Sequence, residues 1–324
     1  MTLREFFPHR LRVPSPGSRI PFVLITLLVC TSAGDVFAEK PATPNYTMAV
    51  WASEKGLPPG DVFAIAQDLE GYLWVGGPTG LLRFDGHRFS PWQPADPASA
   101  LPSGPVHAIV GSHDGSIWVG LGGGGGVVRI QRGQIVKYST AEGAPPGVSA
   151  MTQDRQGAIW VATRRGLFKF ANNRWTLVGK SEGYNGSEAF SLYEDRAGHL
   201  WVGTASGVYK KTKDVFELVD AAATNIQSMT EDASGDIWVT DAQEVLMRLS
   251  THSTPQHERT IRLPTGAWRV MRDGRGQIWA AAFGGGLMRI RDPLDSTLTS
   301  VSGGECVGST LAAAIGSRRV LNLP

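Results

Sequence analysis

Six tryptophans recur along this chain at a near-constant step: Trp74, Trp118, Trp160, Trp201, Trp238 and Trp279. The steps are 44, 42, 41, 37 and 41 residues, the length that four short strands and their turns occupy. Three residues before each tryptophan stands a glycine: Gly71, Gly115, Gly157, Gly198, Gly235 and Gly276. Six residues before it, in five copies, stands an aspartate: Asp68, Asp154, Asp195, Asp232 and Asp273. The second copy carries its acid at Asp114 instead. A single unit copied six times restricts the fold more than any bulk property of the chain.

One copy reads as four strands. Val62–Asp68 alternates, with Phe63 and Ile65 on one face. Asp68-Leu69-Glu70-Gly71 reads as a tight turn, the Asp accepting the backbone N–H two residues on and the Gly supplying positive φ. Tyr72–Gly76, Leu81–Asp85 and a more polar His87–Trp92 follow as the second, third and fourth strands. The third copy repeats the order over 150–154, 158–161, 167–170 and 174–178. Four antiparallel strands per unit of about 40 residues predict an all-β propeller with six recognisable blades. The tryptophans read as filler between blades, burying about 150–250 Å² each. Gly76, Gly120 and Gly203, just after Trp-Val, mark close backbone approach.

The ends of the pattern leave the ring size open between six blades and an incomplete seven. Residues 39–45 are a Pro-rich leader, and Tyr46–Trp51 reads as a lone outer strand expected to pair with the third strand of the last blade. The propeller is expected over 46–300. After about Thr297 the pattern stops, and 301–324 reads as an irregular tail, the expected mark of a truncated or frame-shifted end.

Residues 1–38 read as a secretory signal peptide. Arg4, Arg10, Arg12 and Arg19 precede an apolar run from Ile20 to Cys30, which is too short to span a bilayer, and Ala38 sits before the expected cut. A periplasmic or secreted protein is therefore expected, with no transmembrane helix in the mature chain. Removing the leader leaves 27 basic and 27 acidic residues. A balanced charge carries no footprint for nucleic acid. The one remaining cysteine, Cys306, allows no internal disulfide.

The unit Asp-x-x-Gly-x-Leu/Ile-Trp-Val-Gly-x-x-x-Gly-Leu-x-x-Phe resembles the two-component regulator propeller repeat. The segment Val50-Trp51-Ala52-Ser53-Glu54-Lys55-Gly56-Leu57-Pro58 is similar to that family's opening. The resemblance implies the periplasmic sensor half of a membrane signalling protein. Family members continue through a β-sandwich and a membrane helix into a histidine kinase or a diguanylate cyclase, and some recognise polysaccharide breakdown products. This chain carries none of those output modules, so the expectation is a non-enzymatic sensor. A propeller lyase or hydrolase, or a protein-binding scaffold, are the alternatives.

Chemistry-bearing motifs are scarce. The histidines show no zinc spacing, Asp-x-x-Gly does not match a calcium loop, and Gly122–Gly126 lacks the Lys and helix of a phosphate loop. No cofactor or metal is expected, and no catalytic set; His199 and Glu231 are the pair an enzyme reading would use. Recognition is expected on the face that collects the turns between second and third strands and the links between blades. The candidates there are Arg164 and Arg165, Tyr184 and Asn185, Asp241 and Gln243, Trp268, and Phe283. Aromatic rings among Arg, Asp and Asn suit a small polar ligand of the oligosaccharide kind, with a protein partner as the other class.

Overall fold

The computed structural model describes residues 53–301, except 59, 95, 97–99, 187, 242–244, 252–256, 264–265, 283–285 and 291–297. Six four-stranded antiparallel sheets form a ring, a six-bladed β-propeller. Strand order within every blade follows the chain. Blade three is typical: Ala150–Gln153, Ile159–Thr163, Gly166–Ala171 and Arg174–Leu177. The inner strands are Ala64–Gln67, Val106–Gly111, Ala150–Gln153, Ala189–Glu194, Ile226–Glu231 and Ala267–Arg272. All six line one central channel. The second strand of each blade is apolar on both faces because it lies between two neighbouring sheets; in blades two, three and four every residue of it is buried.

The recurring aspartate does more than cap a turn. In blade three, Asp154 Oδ1 accepts the Ala158 N–H at 2.8 Å and Oδ2 accepts the Trp160 indole N–H at 2.6 Å. The same indole bond joins Asp68 to Trp74, Asp195 to Trp201, Asp232 to Trp238 and Asp273 to Trp279. Burying a ring as large as Trp gains most when its N–H is paired, and a carboxylate acceptor makes that bond a strong one. The expected N–H two residues on is also bound, at Glu70, Ser234 and Arg275. The glycine of each turn has φ between 79° and 96°, the left-handed region where a Cβ is strained.

Blade two departs from the scheme. Ser112 stands at the aspartate position, and Asp114 turns instead to Ser116 and to Arg129, whose Nη2 lies at 2.5 Å. Arg129 lies over the Trp118 ring, 5.5 Å from its centre.

Five tryptophans join an apolar cluster with the following blade. Trp74 packs with Val106 and Ile117, Trp118 with Val161 and Phe168, Trp160 with Tyr184 and Val202, Trp201 with Ile226 and Met229, and Trp238 with Val270 and Ile278. Trp279 is buried, yet among the described residues it shares no such cluster with blade one. The close-approach glycines serve the same seams. A Cβ on Gly76 would overlap Val106, one on Gly120 would overlap Val148 and Met151, and one on Gly203 would overlap Ser191 and Ile226.

One expectation is corrected. The third strand of the last blade, Gly286–Ile290, pairs with Leu298–Val301, so that blade completes itself from the C-terminal side. The edge assigned to Tyr46–Trp51 is already taken. The segment 46–51, the signal sequence, the leader and the tail lie outside the described residues. The glycine run Gly122–Gly126 forms the turn between strands ending at Leu121 and beginning at Val127.

Asp154→Asn keeps the size and removes the charge from both bonds. It is expected to destabilise the chain by about 1–3 kcal/mol, read as a lower urea midpoint with an unchanged m-value. An unaltered midpoint would show that the aspartate is not the clamp on its tryptophan.

Candidate functional site

The channel is a cavity of about 660 Å³. Each inner strand enters it from the link face and leaves at the Asp-x-x-Gly turns. At the turn end, ion pairs tie one blade to the next. The Arg155 N–H donates to Glu194 at 2.9 Å, and its guanidinium reaches the carbonyls of Asp195 and Arg196. Arg196 repeats this one blade on, donating its N–H to Glu231 at 2.8 Å, with Nε 3.0 Å from the same carboxylate. In blade two the His113 N–H donates to Gln153. These groups brace the turn face, so its charges are committed to structure.

The link end is built differently. In four blades the pairing of first and second strands shifts by one residue at the same register, leaving His107, Phe190, Gln227 or Trp268 as the bulged residue. Each lies eleven residues before its tryptophan, as do Phe63 in blade one and Ser149 in blade three. A bulge re-aims the side chain it carries. This register is the rim of the link end, held by Phe63, His107, Ser149, Phe190, Gln227 and Trp268, of which Phe63 and His107 line the channel. Phe63 and His107 meet edge to face, 5.1 Å between centres. His107 Nδ1 lies 3.2 Å from the Val148 carbonyl; a carbonyl only accepts, so Nδ1 carries the proton. Trp268 is 45% exposed.

The expected recognition residues fall into three groups. Trp268 is on this rim. Arg164, Arg165 and Asn185 are exposed on the link face away from the channel lining. Asp241 accepts the Val245 N–H at 2.9 Å, a turn-capping role. Gln243 and Phe283 lie outside the described residues. Tyr184 is placed otherwise. It is 2% exposed and packs against Tyr209 and Phe216. It occupies the register of Leu57 and Ala144, each directly after a link glycine, and such positions plug the seam beneath the link. Burial pushes its phenol strongly up, and its hydroxyl has no hydrogen-bond partner.

The rim residues Phe63, His107, Phe190 and Gln227 escaped sequence reading because the bulge is invisible in residue type. Their constant offset from the tryptophan was the signal that could have found them. His199 and Glu231, the enzyme-reading pair, have other partners: His199 Nδ1 sits 2.9 Å from Asp195, and Glu231 holds Arg196. Among the described residues no three His, Cys, Asp or Glu side chains cluster to hold a metal. No helix among them is long and apolar enough to cross a membrane.

A smaller cavity of about 350 Å³ opens beside Trp118, where blade two lacks its aspartate; Asp114, Arg129, Gln153 and Phe170 border it. Burial would raise the Asp114 carboxyl. The Ser116 and Ser112 hydrogen bonds and the Arg129 charge outweigh that and hold it at about 2, against an ordinary 3.8.

Residues 183–206 match the family model described as two component regulator propeller. That stretch, leading through the first two strands of blade four, carries the two-component regulator propeller repeat. Among solved structures it is similar to the extracellular domain of the putative hybrid two component system BT3049 from B. thetaiotaomicron, with 18% identity and a TM-score of 0.66 over 82% of this chain and 38% of that one. It is similar also to the extracellular domain of the putative one component system BT4673 from the same organism, with 17% identity and a TM-score of 0.60 over 77% and 36%. The chain thus spans little more than a third of either sensor chain. A streptogramin B lyase matches with 17% identity and a TM-score of 0.59 over 78% and 88%. A search of curated proteins finds no match. At these identities the solved structures establish the propeller fold, and the sensor domains and the lyase share it.

Two outcomes are expected from this geometry. Tyr184→Phe, which deletes only the unpartnered hydroxyl, should leave thermal stability unchanged or raise it by about 1 kcal/mol; a clear fall in Tm would reveal a hidden partner. Asp114 has a depressed folded pKa, so its stabilisation is full above the unfolded value of 3.8 and is lost as pH falls toward about 2. Asp114→Asn should therefore flatten the decline of Tm across that window, and an unchanged acid limb would contradict it.

Proposed function

We propose that the chain is an exported, ligand-binding sensor propeller without catalytic activity of its own, working with a kinase or cyclase output. Its ligand is small and polar, of the oligosaccharide kind, and it binds at the link-face mouth of the channel. The observation that carries this reading is the variability of one register. Across six copies the tryptophan and turn glycine never change. The rim position holds Phe, His, Ser, Phe, Gln and Trp. A register that varies from blade to blade, and that a bulge turns aside in four of them, is where specificity is placed at least cost to the fold. Three aromatic rings with His, Ser and Gln between them offer stacking faces and hydrogen bonds to a sugar. Exposed Arg164, Arg165 and Asn185 widen that face.

Export accords with the leader and with the extracellular sensor domains of like fold. The pair that an enzyme reading would use, His199 and Glu231, is engaged with Asp195 and Arg196.

Binding of the full chain to an array of plant and microbial oligosaccharides tests the proposal. Trp268→Ala and Phe190→Ala are each expected to weaken the best binder by about tenfold or more, the scale of one lost stacking contact, with Tm unchanged. Rim variants that bind as tightly as the parent would remove the mouth as the site. Turnover of a glycan would replace the sensor reading with the lyase one.

A further inference from the structure

Ten residues before each tryptophan lies the residue that faces the next blade from the inner strand. In five blades it is small: Ala64, Ala108, Ala150, Ser191 and Ser228. Small size is required there. Each pairs across with Gly76, Gly120, Ala162, Gly203 or Thr240, and the following strand closes in on that layer. Ser191 Oγ donates to the Ile226 carbonyl at 2.8 Å, and Ser228 Oγ meets both the Val270 carbonyl and the Val270 N–H. In blade six the same register holds Arg269, opposite Ala281.

Arg269 points across the seam to blade one and lines the channel. Among the described residues its hydrogen bond is to the Phe63 carbonyl, at 3.5 Å, the limit of such a bond. A guanidinium has five N–H donors, and a desolvated cation without an anion is costly. Burial lowers its pKa, with no acid acting in the opposite sense. The channel lining holds four guanidinium groups, on Arg155, Arg196, Arg269 and Arg272, against three carboxylates, on Glu194, Glu231 and Asp273. Arg155 and Arg196 take Glu194 and Glu231. Asp273 is bound by the Trp279 indole and two backbone N–H groups. Arg272 Nε is buried without a partner. Among the described residues, blade six therefore brings into the channel a positive charge that no carboxylate of the lining pairs.

We infer that the channel binds a carboxylate, with Arg269 as its counter-charge. The ligand is a hydroxy-carboxylate of sugar size. A planar fork of donors pairs two-to-two with a carboxylate, Thr152, Thr230 and His107 border the same space, and about 660 Å³ falls within the range of small-ligand pockets. The inference rests on the binding reading above and adds the charge of the ligand and the residue that selects it.

The test is calorimetric titration and thermal shift of the full chain with glucuronate and with glucose, at ionic strength matched with sodium chloride. The parent is expected to bind glucuronate at least about tenfold more tightly than glucose. Arg269→Gln should lose that preference and keep or raise its ligand-free Tm, since it removes an uncompensated charge. Arg269→Lys, with the charge but not the fork, should fall between. Equal response of the parent to acid and sugar overturns the inference, and so does a preference that survives Arg269→Gln. If Arg269→Gln fails to fold, the parent's own preference and the Arg269→Lys value decide in the same sense. Loss of oligosaccharide binding in the rim variants speaks to the mouth alone, so the anion site fails separately from it.

Discussion

The bond from each aspartate to the indole six residues on is the interaction around which the rest of the ring is arranged. It joins the turn after the inner strand to the middle of the second strand, so turn and sheet are fixed by one carboxylate. The indole is then held flat in the seam, and the following blade packs against it. Without the acid, the tryptophan would bury an N–H with no acceptor, a penalty of about 1–3 kcal/mol. Blade two shows the consequence. Ser112 cannot span to Trp118, Arg129 covers the ring instead, Asp114 neutralises the arginine, and a cavity remains beside them.

The seams set a second constraint, on size. Because the next inner strand crosses close to the start of the second strand, the facing positions must be Gly, Ala, Ser or Thr. This is why the chain can afford large residues one position earlier, where the bulge releases the side chain from the sheet, and cannot afford them in the seam itself. The arginine in blade six is the exception. Its side chain crosses the seam to the Phe63 carbonyl of blade one.

Much of this was legible in the sequence. Spacing gave the blades, Gly71 and its five counterparts gave the turns, and Gly76, Gly120 and Gly203 gave the close approaches; each rests on a local requirement that a residue type reveals. Closure was not legible. Tyr46–Trp51 looked like the missing outer strand because 298–301 has no tryptophan or glycine to mark it, and outer strands carry the weakest pattern. Tyr184 looked like a ligand residue because it follows a link glycine in a loop. Its burial depends on tertiary packing against Tyr209 and Phe216, which no local pattern reports. The same holds for the rim, where a bulge, not a residue type, decides which way a side chain points.

Repetition sharpens the reading of function. Positions that are the same in all copies answer to the fold, and positions that vary freely, such as the rim, answer to nothing that the fold demands. A third kind, constant in five copies and broken in one, is the most informative, because the break carries an energetic cost that the architecture does not repay. Ser112 is such a break and is locally repaired by Arg129 and Asp114. Arg269 is another, and the described residues offer it only the carbonyl of Phe63. A repaired break needs no ligand. An unrepaired one, in a channel whose described lining carries more guanidinium than carboxylate groups, is where a bound anion gains most.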